Sequence, residues 1–135
     1  MKSPLRGLFK TRIQSTGQQA EDEACKYLIR NGLKAVTRNY RCKYGEIDLI
    51  MQDEDTLVFI EVRYRKNIRF GSSAETVTLG KQKKLIIAAQ HFIQSEPRLQ
   101  SSPCRFDVVA LSPDSTSKKS GPAIDWIRNA FTAGN

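Results

Sequence analysis

The stretch GEIDLIMQDEDTLVFIEVRYR, from Gly45 to Arg65, has the pattern of a β-hairpin. Two runs rich in apolar and β-branched residues flank the polar turn Asp53-Glu54-Asp55. Each run carries an acid where a strand ordinarily buries an apolar side chain, Asp48 in the first and Glu61 in the second. A turn centred between Glu54 and Asp55 sets Gln52 opposite Leu57, Ile50 opposite Phe59 and Asp48 opposite Glu61. A three-residue loop would shift the pairing by one and send the two acids to opposite faces. In the first register Arg63 shares their face, because side chains alternate along a strand. Like charges directly across a ladder destabilise it. The pattern therefore calls for something positive between the carboxylates, either a basic side chain or a metal ion.

Before the hairpin, residues 33–41 (LKAVTRNYR) read as a strand, and GQQAEDEACKYLIRNG reads as a helix. That helix is capped near Ser15-Thr16 and stopped by Gly32. Ala20, Ala24, Cys25, Tyr27 and Leu28 form its apolar stripe, with Asp22, Glu23, Lys26 and Arg30 on the polar face. Glu21 falls inside the apolar arc, and a carboxylate buried there needs a partner. After the hairpin comes the basic, Gly/Ser-containing connection KNIRFGSSAE. A second helix follows, LGKQKKLIIAAQHFIQSE, capped by Thr78. Its core stripe is Leu85, Ala88, Ala89, Phe92 and Ile93. Lys81 extends that stripe toward the N-terminus, whereas Lys83 points away. CRFDVVAL, from Cys104 to Leu111, is a further strand, SPDSTSKKSGP a loop, and AIDWIRNAF a short strand or helix able to cover a sheet edge. The order is αβββαβ plus a tail, an α/β domain over residues 15–135 preceded by a basic N-terminal arm, residues 1–14.

Composition limits the partners. Among 135 residues, 22 are basic and 14 acidic, a net charge of +8, which favours anionic partners, nucleic acid before anionic membrane. No apolar run is long enough to span a bilayer. Three scattered cysteines (Cys25, Cys42, Cys104) and one histidine, His91, make neither a disulfide framework nor a zinc pattern. They suit a reducing cytoplasm. His91 sits a step beyond the core stripe, as an exposed or edge-packed residue. Tyr40 and Trp126 are read as packing residues, and Asp107, on one strand face with Arg105 and Val109, as a structural ion pair.

A cation shared by Glu21, Asp48 and Glu61 would account for all three misplaced acids, and hard oxygen ligands suit Mg²⁺ or Mn²⁺. Arg63 beside them could stabilise developing negative charge.

Taken together, Gly17-x-x-x-Glu21-x-x-Ala24, GEIDLI (Gly45 to Ile50), VFIEVR (Val58 to Arg63), Phe70-Gly71, Lys81 and RFDVVAL (Arg105 to Leu111) resemble the bacterial YraN family, of UPF0102 type. That family is related in fold to Holliday-junction resolvases and the PD-(D/E)xK nucleases. The resemblance implies a restriction-endonuclease or resolvase-like core, a central mixed sheet flanked by helices, with the hairpin strands at its centre. It implies a metal site of Glu21, Asp48, Glu61 and the Val62 carbonyl, with Asp48, Glu61 and Arg63 in the catalytic positions. Lys81 matches a phosphate-contacting residue, and Arg63, Arg65, Lys81 and Lys84 are the expected nucleic-acid contacts. DNA is expected ahead of RNA, and a homodimer is what a symmetric junction requires. One departure stands out: where these nucleases usually have lysine, this chain has Arg63, which holds its proton and cannot be a general base. Three readings remain open at this point: a Mg²⁺- or Mn²⁺-dependent endonuclease, a nucleic-acid-binding protein on the same fold, and a structural or interaction module in which Arg63 neutralises the acids.

Overall fold

The computed structural model describes residues 16–65, 77–113 and 123–133. The N-terminal arm, Phe70-Gly71, most of the connection before the second helix and most of the loop after residue 113 lie outside the described residues. In chain order the elements are α1 (Thr16–Arg30), β1 (Lys34–Cys42), β2 (Gly45–Asp53), β3 (Thr56–Tyr64) and α2 (Leu79–Gln94). A 3-10 turn (Pro97–Leu99), β4 (Cys104–Ser112) and β5 (Ala123–Phe131) follow. The strands form one sheet in the order β1-β2-β3-β4-β5. Among the described strands only β3 and β4 run parallel, joined through α2, since parallel neighbours need a crossover connection. The segment AIDWIRNAF is the strand option of the two expected, antiparallel to β4 at the sheet edge.

Helix α1 ends where the glycine rule puts it. Gly32 takes φ +100°, Gly32 N–H donates to the Ile29 carbonyl (3.0 Å) and Leu33 N–H donates to the Leu28 carbonyl (3.0 Å). This is a Schellman closure, with Leu33 and Leu28 buried together. Thr78 caps α2, its hydroxyl accepting from Lys81 N–H at 3.1 Å.

The two helices lie on opposite faces of the sheet. Leu85, Ala88, Ala89 and Phe92 of α2 pack with Ile47, Ile50, Leu57, Phe59, Phe106 and Val108. On the other face Ala20, Ala24, Cys25 and Leu28 of α1 pack with Leu49, Met51, Val58, Ile60, Val109 and Leu111. The alternation along β3, Leu57 and Phe59 to one side, Val58 and Ile60 to the other, is that of a strand buried on both faces.

The hairpin register is the one expected from a turn centred between Glu54 and Asp55. Ile50 pairs with Phe59, Gln52 with Leu57, and Asp53 with Thr56. Glu54 supplies the turn with φ +57°. Asp48 and Glu61 are not ladder partners, however, because the β2–β3 ladder stops at Leu49–Ile60.

The reason lies in β2 itself. Ile47 and Ile50, three residues apart, both enter the core beneath α2, while Leu49 faces α1. Strict alternation forbids that, so the strand turns over at Asp48. Across from Asp48, between the pairs Arg38–Leu49 and Tyr40–Ile47, Asn39 of β1 takes φ +53°. Asparagine is among the few residues that tolerate this conformation. The local irregularity opens a fork between β2 and β3.

Candidate functional site

At the fork, the Asp48 side chain replaces backbone. Its Oδ2 accepts a hydrogen bond from Val62 N–H at 2.8 Å, where a carbonyl of β2 would otherwise serve. The N–H and C=O of one strand residue point the same way, so the Val62 carbonyl also faces the β2 side of the fork. On the opposite edge of β3, odd-numbered residues bond toward β4, as with Leu57 N–H to Pro103 and Arg65 N–H to Leu111 (both 2.8 Å).

Glu61 is buried, 9% exposed, on the α2 face of β3. Lys81 Nζ from the first turn of α2 lies 3.7 Å from its Oε2, and Arg63 Nε lies 3.9 Å from the same oxygen. Glu21 arrives from the other layer, on α1, where Arg38 of β1 ion-pairs with it at 3.8 Å and with Asp22 at 2.7 Å. Glu21 from the α1 layer and Glu61 from the α2 face of β3 both act electrostatically on the Asp48 carboxyl.

Burial pushes the Asp48 carboxyl up to about 7; the Val62 N–H opposes this, while Glu61 and Glu21 raise it further and Lys81 lowers it. Burial likewise raises Glu61, against Lys81 and Arg63, with Glu46 adding to the rise. Asp48 thus feels both other acids. Among the described residues no three Asp, Glu, His or Cys side chains close to metal-ligating distance of one another.

The remaining expected contacts are dispersed. Lys84 is exposed one turn beyond Lys81, its Cβ and carbonyl facing Gly45. Arg65 lies half-buried just past the end of β3. Asp107 is 1% exposed and wholly engaged, as the structural reading expected. It accepts from Arg105 Nε (3.0 Å), Trp126 Nε1 (2.9 Å) and Asn129 N–H (2.8 Å), and Arg105 also reaches Asp53 at 3.0 Å. Trp126 and Tyr40 are packing residues: Trp126 meets Tyr27 edge-on and Tyr40 meets Phe92 edge-on. His91 is exposed, with Nδ1 2.6 Å from the Tyr40 hydroxyl. Cys25, Cys42 and Cys104 are free thiols. Among the described residues no helix is long and apolar enough to cross a membrane.

Sequence reading did not single out three residues here: Arg38, Asn39 and Glu46. A signal existed for Asn39, an asparagine inside a β-patterned run, a residue type depleted from regular strands. For Arg38 there was only the expectation that Glu21 needs a partner, with nothing to say which.

The fold and site define an α/β domain with a five-stranded mixed sheet whose central hairpin forks around carboxylates largely withdrawn from water. Residues 20–111 match the family described as Uncharacterised protein family UPF0102. The chain is 52% identical over 115 residues to a UPF0102 protein of Nitrosococcus oceani, spanning 85% of this chain and 90% of that one. It is 51% identical over 117 residues to one of Saccharophagus degradans, spanning 87% and 92%. The chain belongs to the UPF0102 family. Among solved structures, Pyrococcus furiosus SfsA in complex with Ca²⁺ gives a TM-score of 0.36 at 16% identity, over 87% of this chain and 63% of that one. A likeness at that level supports no inference about activity.

Proposed function

We propose that this protein is a metal-dependent nucleic-acid phosphodiester hydrolase with a resolvase-like core, acting on DNA. The observation that carries the reading is the fork. Two acids largely withdrawn from water, Asp48 and Glu61, stand near each other with their carboxyls raised, beside a strand edge where the Val62 backbone faces them. Desolvated acids at close quarters destabilise the fold unless a cation joins them.

The donor set fits Mg²⁺ or Mn²⁺: carboxylates and a carbonyl, all hard oxygens, in an open arrangement. Mg²⁺ in particular keeps several waters and takes one or two carboxylates rather than a closed protein cage. Asp48, Glu61 and the Val62 carbonyl would hold the ion, with Glu21 behind them, held now by Arg38. When bound, such an ion polarises a phosphoryl oxygen and lowers the pKa of its water. Lys81, at the N-terminal end of α2 where the helix dipole favours anions, holds the phosphate. Arg63 neutralises charge that develops on the transferred group and does not act as base. The excess of basic residues holds the polyanion.

The test is cleavage of supercoiled, single-stranded and four-way-junction DNA in Mn²⁺, in Mg²⁺ and in EDTA, beside an identically purified Glu61→Ala protein. The reading expects metal-dependent cutting that the variant lacks. Cutting shared by both proteins, or none by either, refutes hydrolysis. Arg63 favours one second reading, a protein that binds nucleic acid on this fold without cutting. Its signature is salt-sensitive binding that survives both EDTA and Glu61→Ala.

A further inference from the structure

The two-residue turn between β1 and β2 carries Lys43 and Tyr44 at its tip, closed by the pair Cys42–Gly45. So short a hairpin connection constrains the backbone at its tip. It is also braced from behind: a Cβ on Gly45 would stand 3.5 Å from the Cβ and the carbonyl oxygen of Lys84 on α2. Tyr44 at this turn is 45% exposed. Its ring lies 6.1 Å from that of His91, and the Lys43 ammonium lies 5.4 Å from its centroid.

Lys84, Ile87 and His91 fall at i, i+3 and i+7 along α2, one exposed stripe of the helix beside the turn. Ile87, between Lys84 and His91 on that stripe, is 42% exposed, an apolar side chain left in water. The Tyr40 hydroxyl lies 2.6 Å from His91 Nδ1, which orients the imidazole. The acid nearest the turn in sequence, Glu46, is drawn aside to Arg41 at 3.1 Å.

The surface adjoins the fork. Lys81, one turn before Lys84, lies against Glu61, and Glu46, next to Gly45, acts on the Glu61 carboxyl. Exposed aromatic area, an exposed apolar side chain on the adjoining helix stripe and cations without a dominating acid match an unpaired nucleotide, whose base stacks while its phosphate meets lysine. A duplex offers no free base face at this position.

We propose that Tyr44, backed by His91 and Ile87 and flanked by Lys43 and Lys84, is a stacking platform for a single-stranded stretch of DNA next to the fork. This rests on the nucleic-acid part of the function proposed above and not on hydrolysis. It makes the substrate one that presents unpaired bases, such as a branch, flap or single strand.

The experiment is fluorescence anisotropy on the full chain in EDTA, with a labelled single strand of about 20 nucleotides, longer than the site of a typical single-strand binder, and a blunt duplex of the same sequence. Wild type is compared with Tyr44→Phe, Tyr44→Ala and Lys84→Ala, each first checked for an unchanged melting temperature. Tyr44→Ala is expected to weaken single-strand binding by about 5- to 100-fold and duplex binding by less than about twofold, while Tyr44→Phe keeps single-strand affinity. Lys84→Ala is expected to lower the salt slope of binding by about one. Single-strand affinity unchanged in Tyr44→Ala, or lost equally with duplex affinity, overturns the platform and leaves the proposed hydrolase standing. Wild type binding neither DNA overturns both, whereas a Tyr44 effect without any metal-dependent cutting sustains the platform and removes the hydrolase.

Discussion

Replacing Asp48 by asparagine is expected to make the metal-free protein more stable at alkaline pH. The Asp48 carboxyl rises from its ordinary value of 3.8 to about 7 in the folded chain, mainly through burial. Between those two values the native state holds a proton that the unfolded chain has released, so stability falls as pH rises through this window and levels off above about 7. At about 1.4 kcal/mol for each tenfold change in proton affinity, the ionised carboxylate costs the fold at most about 4 kcal/mol. Partial solvent access and relaxation reduce this, leaving about 1–3 kcal/mol to recover. The asparagine side chain has no charge to bury, and its amide oxygen still accepts from Val62 N–H. Urea unfolding in EDTA should therefore show the Asp48→Asn protein ahead by about 1–3 kcal/mol at about pH 8, with the gain shrinking to nothing near pH 4. Mn²⁺ at about 1,000 times its Kd should reverse the order at alkaline pH, since it stabilises the wild type by about 4.1 kcal/mol. A variant less stable than wild type in EDTA at alkaline pH, or a gain that does not change between acid and alkaline pH, would refute the reasoning.

Two structural substitutions test the frame around the fork. Asp107→Ala leaves the half-buried Arg105 with Asp53 alone and strips the acceptor from Trp126 and Asn129. It should cost about 3–5 kcal/mol by urea unfolding, with altered Trp126 fluorescence in the native state. Gly32→Ala meets no atom within 4 Å but must hold φ +100°, so it should lower stability by about 1–2 kcal/mol in the same assay, through backbone strain alone.

The parts of the fold legible in the sequence are those governed by local chemistry. Thr78 as a cap, Gly32 as a stop and a turn centred at Glu54-Asp55 each act within a few residues, and the hairpin register followed from the last of them. The chemical oddity of Asp48, Glu61 and Glu21 was legible too, because acids in apolar periodicities stand out. What the sequence did not disclose is how they are brought together. Alternation places Asp48 directly across from Glu61, yet the turnover at Asn39 and Asp48 ends the ladder first and sends the Asp48 carboxylate to the Val62 N–H. That outcome depends on packing from both faces at once. Arg38 escaped for the same reason: its partners lie on a helix in another layer, and no periodicity within β1 points to them. Asp107 was read as structural from Arg105 on its own strand face, but its Trp126 and Asn129 partners come from β5, whose place beside β4 only the assembled sheet reveals.

The most direct test of the account is Mn²⁺ binding to the full chain without nucleic acid, followed by electron paramagnetic resonance of the free ion and by titration calorimetry at alkaline pH. The account predicts saturable uptake that is weakened at least about tenfold in both Asp48→Asn and Glu61→Ala. It also predicts uptake that fades as pH falls below about 7, where Asp48 takes up its proton. Uptake that neither substitution changes, or none at millimolar Mn²⁺, would contradict it and leave the acids at the fork as an internal network of Arg63, Lys81 and Arg38.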